Sequence, residues 1–258
     1  SDMRPVWRVI RKSLPRTFTL STNKLTILAL VSLGSVLAPG SIAIFNFSFN
    51  LQSAPMAIVG ASYSLAAFPT LSQYFTDNDH KGFMTEIATA VRYVMFWSLP
   101  LIALFLVLRA QIVRVVLGAG EFGWEATQLT AASLGLFVIS VAAQGLILVF
   151  VRAFYAADDT ITPLVSNVVG AAVIIAGAFG LVEVFRSTSA GRFFLEDLFR
   201  VGSVSNTTVL GLPLAYSLGS FVNVGLFGFD FLLFDPVTRH SWVSSVFVTF
   251  ERCFLCYA

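Results

Sequence analysis

The residues with the clearest potential for chemistry are polar side chains set into one long apolar stretch. From Ser41 to Gln73 the sequence SIAIFNFSFNLQSAPMAIVGASYSLAAFPTLSQ carries no charge in 33 positions. Asn46, Asn50 and Ser53 follow one another at spacings of four and three, which puts them on one face of a helix. Such a face can line a wet cavity and hydrogen-bond a polar headgroup, or it can hydrogen-bond neighbouring helices. Other candidates for chemistry carry less. Cys253 and Cys256 form a CxxC in a Phe-rich tail, with no second pair and no His at ligand spacing, so no metal site is assigned. Asp158 and Asp159 are adjacent carboxylates, but a metal-dependent phosphotransferase needs several carboxylates converging on its ion. Asp77 and Asp79 lie on a separate loop, where His80 reads as a solvated residue. Asp159 and Thr160 more simply cap the helix that Pro163 opens. No catalytic residue and no cofactor is assigned.

The polar stripe has to be positioned by its own helix. At ~1.5 Å per residue the stretch would be on the order of 50 Å long, against a hydrocarbon core of ~30 Å, so it must tilt, bend or protrude. Pro55 cannot donate to the carbonyl of Leu51 and predicts a kink. Gly60 and Ser64 form a small-xxx-small pair where a second helix can approach closely.

The rest of the chain has the same character. It is 57% hydrophobic and 12% charged, with 26 Phe and a mean hydropathy of +0.83, whereas soluble domains carry ~25% charged residues. The fold class is therefore an all-α integral membrane protein. A net charge of +2 gives no reason to expect nucleic acid as a partner.

Residues 1–17 read as a basic amphipathic interfacial segment, with Arg4, Arg8, Arg11, Lys12 and Arg16 among Val6, Trp7, Val9, Ile10 and Leu14. No cleavage site for a signal peptide follows it. A transmembrane region over 18–234 then divides into about six spans, at 18–38, 41–73, 87–108, 128–150, 163–182 and 207–234. Ile112–Leu117 suggests a short helix lying at the outer interface, ended by Gly118 and Gly120. The fifth span is rich in Gly and Ala, and the sixth carries Pro213, Asn223 and Asp230. Residues 235–258 read as a truncated apolar tail that never becomes a full span. Arg4, Arg8, Arg11, Lys12, Arg16, Lys81, Arg152 and Arg239 then fall inside, while Arg109, Arg114, Arg186, Arg192 and Arg200 fall outside. This bias sets the amino-terminal end in the cytoplasm.

Four stretches carry a family resemblance. FNLQSAPMAIVGASYSLAAFPTLSQ resembles the eighth helix of the MurJ (MviN) lipid II flippases, and Ile112–Leu117 with Gly120, Glu121 and Phe122 resembles the segment before the tenth. RAFYAADDTITP is similar to the family's "xAFYAxxDTxTP" loop, and GLPLAYSLGSFVN resembles the start of the twelfth helix. The matches fall in order and cover roughly residues 5–225.

The resemblance implies one lobe of a two-lobed transporter of the multidrug, oligosaccharidyl-lipid and polysaccharide exporter superfamily, from the seventh helix to near the thirteenth, with an N-terminal lobe as partner. It implies a multi-pass protein of the bacterial inner membrane that is not an enzyme. The cargo implied is a lipid-linked cell-wall precursor with an undecaprenyl-pyrophosphate headgroup, flipped by alternating access. Asn46, Asn50, Gln52 and Ser53 would be the polar contacts on this lobe's wall. One departure stands out: where the family has an arginine in the eighth helix, five residues before the Pro, this chain has Asn50, which brings neither charge nor a bidentate fork. Residues 17–38 hold no Asp or Glu, so the seventh-helix carboxylate that binds sodium in some relatives has no counterpart. The alternatives are another exporter of the superfamily, for polysaccharide lipids or drugs, and a non-functional fragment.

Overall fold

The computed structural model describes residues 4–118, 123–187 and 207–234. Among the described residues every regular element is helical: α1 (Arg4–Ser35), α2 (Ser41–Met56), α3 (Ser62–Thr76), α4 (His80–Leu117), α5 (Trp124–Ile139), α6 (Val141–Ala156), α7 (Ile161–Ser187) and α8 (Gly211–Phe234). Short loops join α1 to α2, α3 to α4 and α6 to α7, so successive rods run up and down a bundle. The tail over 235–258, with its CxxC, and most of the polar stretch after α7 lie outside the described residues.

Four helical stretches are long and apolar enough to cross a membrane: Ser41–Thr76, His80–Leu117, Ile161–Phe185 and Thr207–Phe231. The pair α5 and α6, bent by 40°, adds a fifth if taken as one span. The chain is thus an all-α membrane protein. In the place of the first expected span stands α1, one unbroken helix whose middle reads Thr17, Thr19, Ser21, Thr22, Asn23 and Lys24. That polarity keeps it out of the apolar set.

At the kink expected at Pro55 the helix changes its hydrogen-bond register rather than breaking, and Ser41–Thr76 runs on as one span. The proline sits near the end of α2, and Ala57–Ala61 then forms a π turn before α3 resumes. Ser62 follows the wider register, its Oγ donating to the carbonyl of Ala57, five residues back, at 3.1 Å. A π turn of this kind is a local insertion into the helical ladder and a common cause of bending. The fourth expected span is bent. Ser140 stands between α5 and α6, its Oγ donating back to the carbonyl of Phe137 at 2.7 Å, an interaction that bends helices.

One expectation is corrected. Ile112–Leu117 is not a separate interfacial helix but the end of α4, which runs for 38 residues. No Gly or Pro interrupts the chain after Pro100, and Val113 is fully buried against Ala131, Leu134 and Val138 of α5. The helix stops at Gly118, whose N–H reaches the carbonyl of Arg114 at 2.9 Å.

Two apolar clusters organise the bundle. Leu71 of α3, Phe83, Ile87 and Val94 of α4, Phe150 and Phe154 of α6, and Phe227 and Phe231 of α8 form the larger. Leu30, Phe45, Phe137, Ile174 and Leu212 centre the other, where the rings of Phe45, Phe49, Phe137 and Tyr216 meet edge to face. Tyr93, Trp97, Leu104, Val107 and Val115 of α4 are exposed, as suits a lipid-facing flank. Most hydroxyls on the spans are satisfied within their own helix. Thr26 donates to Thr22, Thr89 to Thr85, Ser98 to Met95, Thr130 to Ala126 and Ser220 to Tyr216, each to a backbone carbonyl.

Candidate substrate-facing site

The structure sorts the four predicted contact residues onto two sides of α2. Asn50 and Ser53 are exposed and Asn46 is half-buried. The side-chain amides of Asn46 and Asn50 make no hydrogen bond among the described residues, while Ser53 Oγ donates to the carbonyl of Asn50 at 2.6 Å. Asn50 stands about 14 Å along the helix axis from Ser41, close to half the thickness of the hydrocarbon core. An unpartnered amide facing hydrocarbon would cost roughly 2–7 kcal/mol, depending on the reference state. Two of them on one face therefore favour water, or a polar partner, over lipid.

Gln52 does not share this face. It is 1% exposed, and its Oε1 accepts from Nε2 of Gln144 at 3.0 Å. That same amide donates to Ser140 Oγ at 2.8 Å, and Gln144 Oε1 accepts from the Tyr216 hydroxyl at 3.4 Å. Gln52, Ser140, Gln144 and Tyr216 thus tie α2, the α5–α6 break and α8 together in the interior. Sequence reasoning missed Gln144 and Tyr216, although a lone Gln beside Gly145 in the run VAAQGLILVF is a visible signal.

The close approach expected at Gly60 is found, and its partner is Gly145 of α6. A Cβ built on Gly60 would lie 2.8 Å from the Gly145 Cα, and one on Gly145 would lie 2.9 Å from Val94 Cγ1. Ser64, one turn on, is 1% exposed. A second polar seam joins α7 to α8. The Asp230 carboxylate accepts from Ser166 Oγ, and Asn223 Nδ2 donates to Asn167 Oδ1 at 3.3 Å. Asn223 lies over Gly170, where a Cβ would come within 2.6 Å of its Cγ. Of the adjacent carboxylates, Asp159 does what a helix start requires, while Asp158 takes the left-handed turn position before it. Asp159 Oδ1 accepts from the N–H groups of Ile161 and Thr162 at 2.9 and 3.2 Å, and its Oδ2 from Thr162 Oγ1 at 2.6 Å.

Comparison with known proteins decides the family. The sequence profile described as "Lipid II flippase MurJ" matches residues 2–231. The chain belongs to the MurJ lipid II flippase family. MurJ relatives include the "Probable lipid II flippase MurJ" of Vibrio cholerae, 26% identical over 239 residues, covering 90% of this chain and 45% of the relative. That of Treponema pallidum is 23% identical over 252 residues, covering 95% and 47%. A solved lipid II flippase MurJ in an inward closed conformation superposes with a TM-score of 0.67 at 17% identity, covering 95% of this chain and 46% of that one. At that identity the superposition speaks for the fold. The chain spans about half the length of these MurJ proteins. The exposed polar face of α2 carries no charged residue.

Proposed function

We propose that this chain forms one lobe of a transporter that flips lipid II, or a closely related isoprenoid-pyrophosphate sugar, across the bacterial inner membrane by alternating access. Asn46, Asn50 and Ser53 are the contacts this lobe offers to the hydrophilic headgroup, and Gln52 holds the helix behind them. The observation that carries the reading is the face of α2 with two amides unpartnered among the described residues in a MurJ-family chain. An amide can donate to a phosphate oxygen and accept from a sugar hydroxyl. It has no charge to hold a pyrophosphate tightly, which suits a wall that must release its cargo. The opposing wall of the cavity is the N-terminal lobe, and the isoprenoid tail stays in the bilayer.

Binding of purified lipid II to the detergent-solubilised protein together with its N-terminal lobe tests this. Asn50→Leu is expected to keep the folded yield and weaken binding several-fold, about the effect of one lost neutral hydrogen bond. Unchanged binding would remove Asn50 from the site and with it the assignment of this face.

A further inference from the structure

The stretch α2–α3, with its π turn, and the bent pair α5–α6 are built alike. At the end of α3, Asp77 N–H donates to the Gln73 carbonyl, Asn78 N–H to Phe75 and Asp79 N–H to Tyr74, at 2.9, 3.2 and 3.0 Å. At the end of α6, Ala157 N–H donates to Ala153, Asp158 N–H to Tyr155 and Asp159 N–H to Phe154, at 3.1, 3.2 and 3.0 Å. Each set is a Schellman motif closed by a non-glycine residue in the left-handed region, Asn78 at φ 55° and Asp158 at φ 59°. In each, the next residue is an aspartate that caps the following helix: Asp79 accepts from Gly82 N–H at 3.0 Å, and Asp159 from Ile161 and Thr162. Every equivalent pair, from Gln73 and Ala153 to Asp79 and Asp159, is 80 positions apart.

The correspondence continues upstream. The residue 80 positions before Ser140, where the second span bends, is Gly60, inside the π turn that widens the first. Both elbows also converge on one apolar cluster, through Leu71 and Phe83 on one side and Ala153, Phe154 and Ala156 on the other. The π turn and the α5–α6 bend lie beside the Gly60–Gly145 contact and are bridged by Gln52 and Gln144.

We propose that these repeated units are a paired hinge. In this reading α3 and α6, each fixed to the next helix by the same elbow, move as one block. That block turns against α2 and α5, with Gly60 and Gly145 as the pivot and the Gln52–Gln144 bond as the latch. A glycine pair suits a pivot, because two backbones in contact can rotate without side chains having to pass each other. The π turn and the Ser140 back-bond leave the ladder weakest on both helices at that level. The idea deepens the alternating-access reading above by naming where this lobe would bend. A change of about 10° at these two points would move the far ends of α3 and α6, some 22 Å away by helical rise, by roughly 4 Å.

Distances between spin labels test this in the chain reconstituted in lipid, with Cys253→Ser and Cys256→Ser as background. His80→Cys with Thr160→Cys reports within the proposed block, Ala43→Cys with Gly123→Cys within its counterpart, and Ala43→Cys with Thr160→Cys between them. The expected result is a single narrow distance for each of the first two pairs and a broad or double distribution for the third. Gln52→Leu with Gln144→Leu and Tyr216→Phe, which removes the latch without stranding the buried Tyr216 hydroxyl that bonds Gln144, should shift the third distribution by several ångströms and spare the first two. A narrow third distribution unmoved by the triple variant would overturn the hinge, as would a broad first one. No cargo is needed for these readings, so a wrong substrate would leave them unchanged, whereas failed distances would count against the hinge alone.

Discussion

Gly60→Ala probes the point on which the packing of the lobe turns. The added Cβ would lie 2.8 Å from the Gly145 Cα, a backbone atom that cannot swing aside as a side chain can. Overpacking of this kind costs typically 1–3 kcal/mol. At Gly180, near the end of α7, nothing lies within 4 Å of the corresponding Cβ. There the same substitution should gain the ~0.5–1 kcal/mol by which Ala exceeds Gly in a helix. The two variants add the same methyl group to a transmembrane helix and differ only in what it meets. They should therefore separate by roughly 2 kcal/mol or more, which at ~2–4 °C per kcal/mol for a chain of this size is about 4–8 °C in midpoint. Thermal unfolding followed by the monodisperse fraction on size-exclusion chromatography measures the difference. Gly60→Ala melting at or above Gly180→Ala would show that the helices do not touch there, and the pivot would go with the contact.

Two further outcomes follow from the same geometry. Asn50→Arg should fold and keep lipid II binding, because an exposed position beside water lets the guanidinium stay hydrated; burial against hydrocarbon would instead cost at least ~2.5–3.5 kcal/mol and appear as aggregation during purification. In intact cells, with the two native cysteines replaced, Gly123→Cys should react with an impermeant thiol reagent and Asp77→Cys should not; the reverse pattern would invert the topology.

The fold was largely legible in the sequence because its signals are steric and local. The Gly60–Ser64 spacing announced a close crossing, which the structure has at Gly145, and the irregularity expected at Pro55 is a π turn over Ala57–Ala61. Asp159 before Pro163 announced a helix start. What stayed hidden depended on tertiary context. A serine in an apolar run, such as Ser140, is as compatible with a straight helix as with a bent one, and only its bond to Phe137 and the Gln144 amide beside it mark the break. The length of α4 is hidden in the sequence because Ile112–Leu117 is a short apolar run flanked by Arg109 and the Gly118–Gly120 stop, whereas the buried Val113 ties it to α5 as one helix. The separation of Gln52 from its neighbours was available from periodicity alone: it sits about 200° around the helix from Asn50. Composition grouped it with the other polar residues, and the helical angle assigns it to the interior.

The hydroxyls that bond back to their own helices bear on how such a chain is made. A span whose Ser and Thr side chains are satisfied at i−3 or i−4 has little left to seek from a neighbour, so it can leave the translocation channel and rest in lipid before its partners are synthesised. In this lobe α4 is of that kind, with Thr85, Thr89 and Ser98 all closed on their own carbonyls. The span that carries Gln52 is not, because the amide of Gln52 is bonded only to Gln144, which is synthesised 92 residues later. Ser166 and Asn167 on α7 bond back to the carbonyls of Thr162 and Pro163 and meet Asp230 and Asn223 besides. Gln52 therefore enters the membrane with its polar group open, and the arrival of α6 closes it.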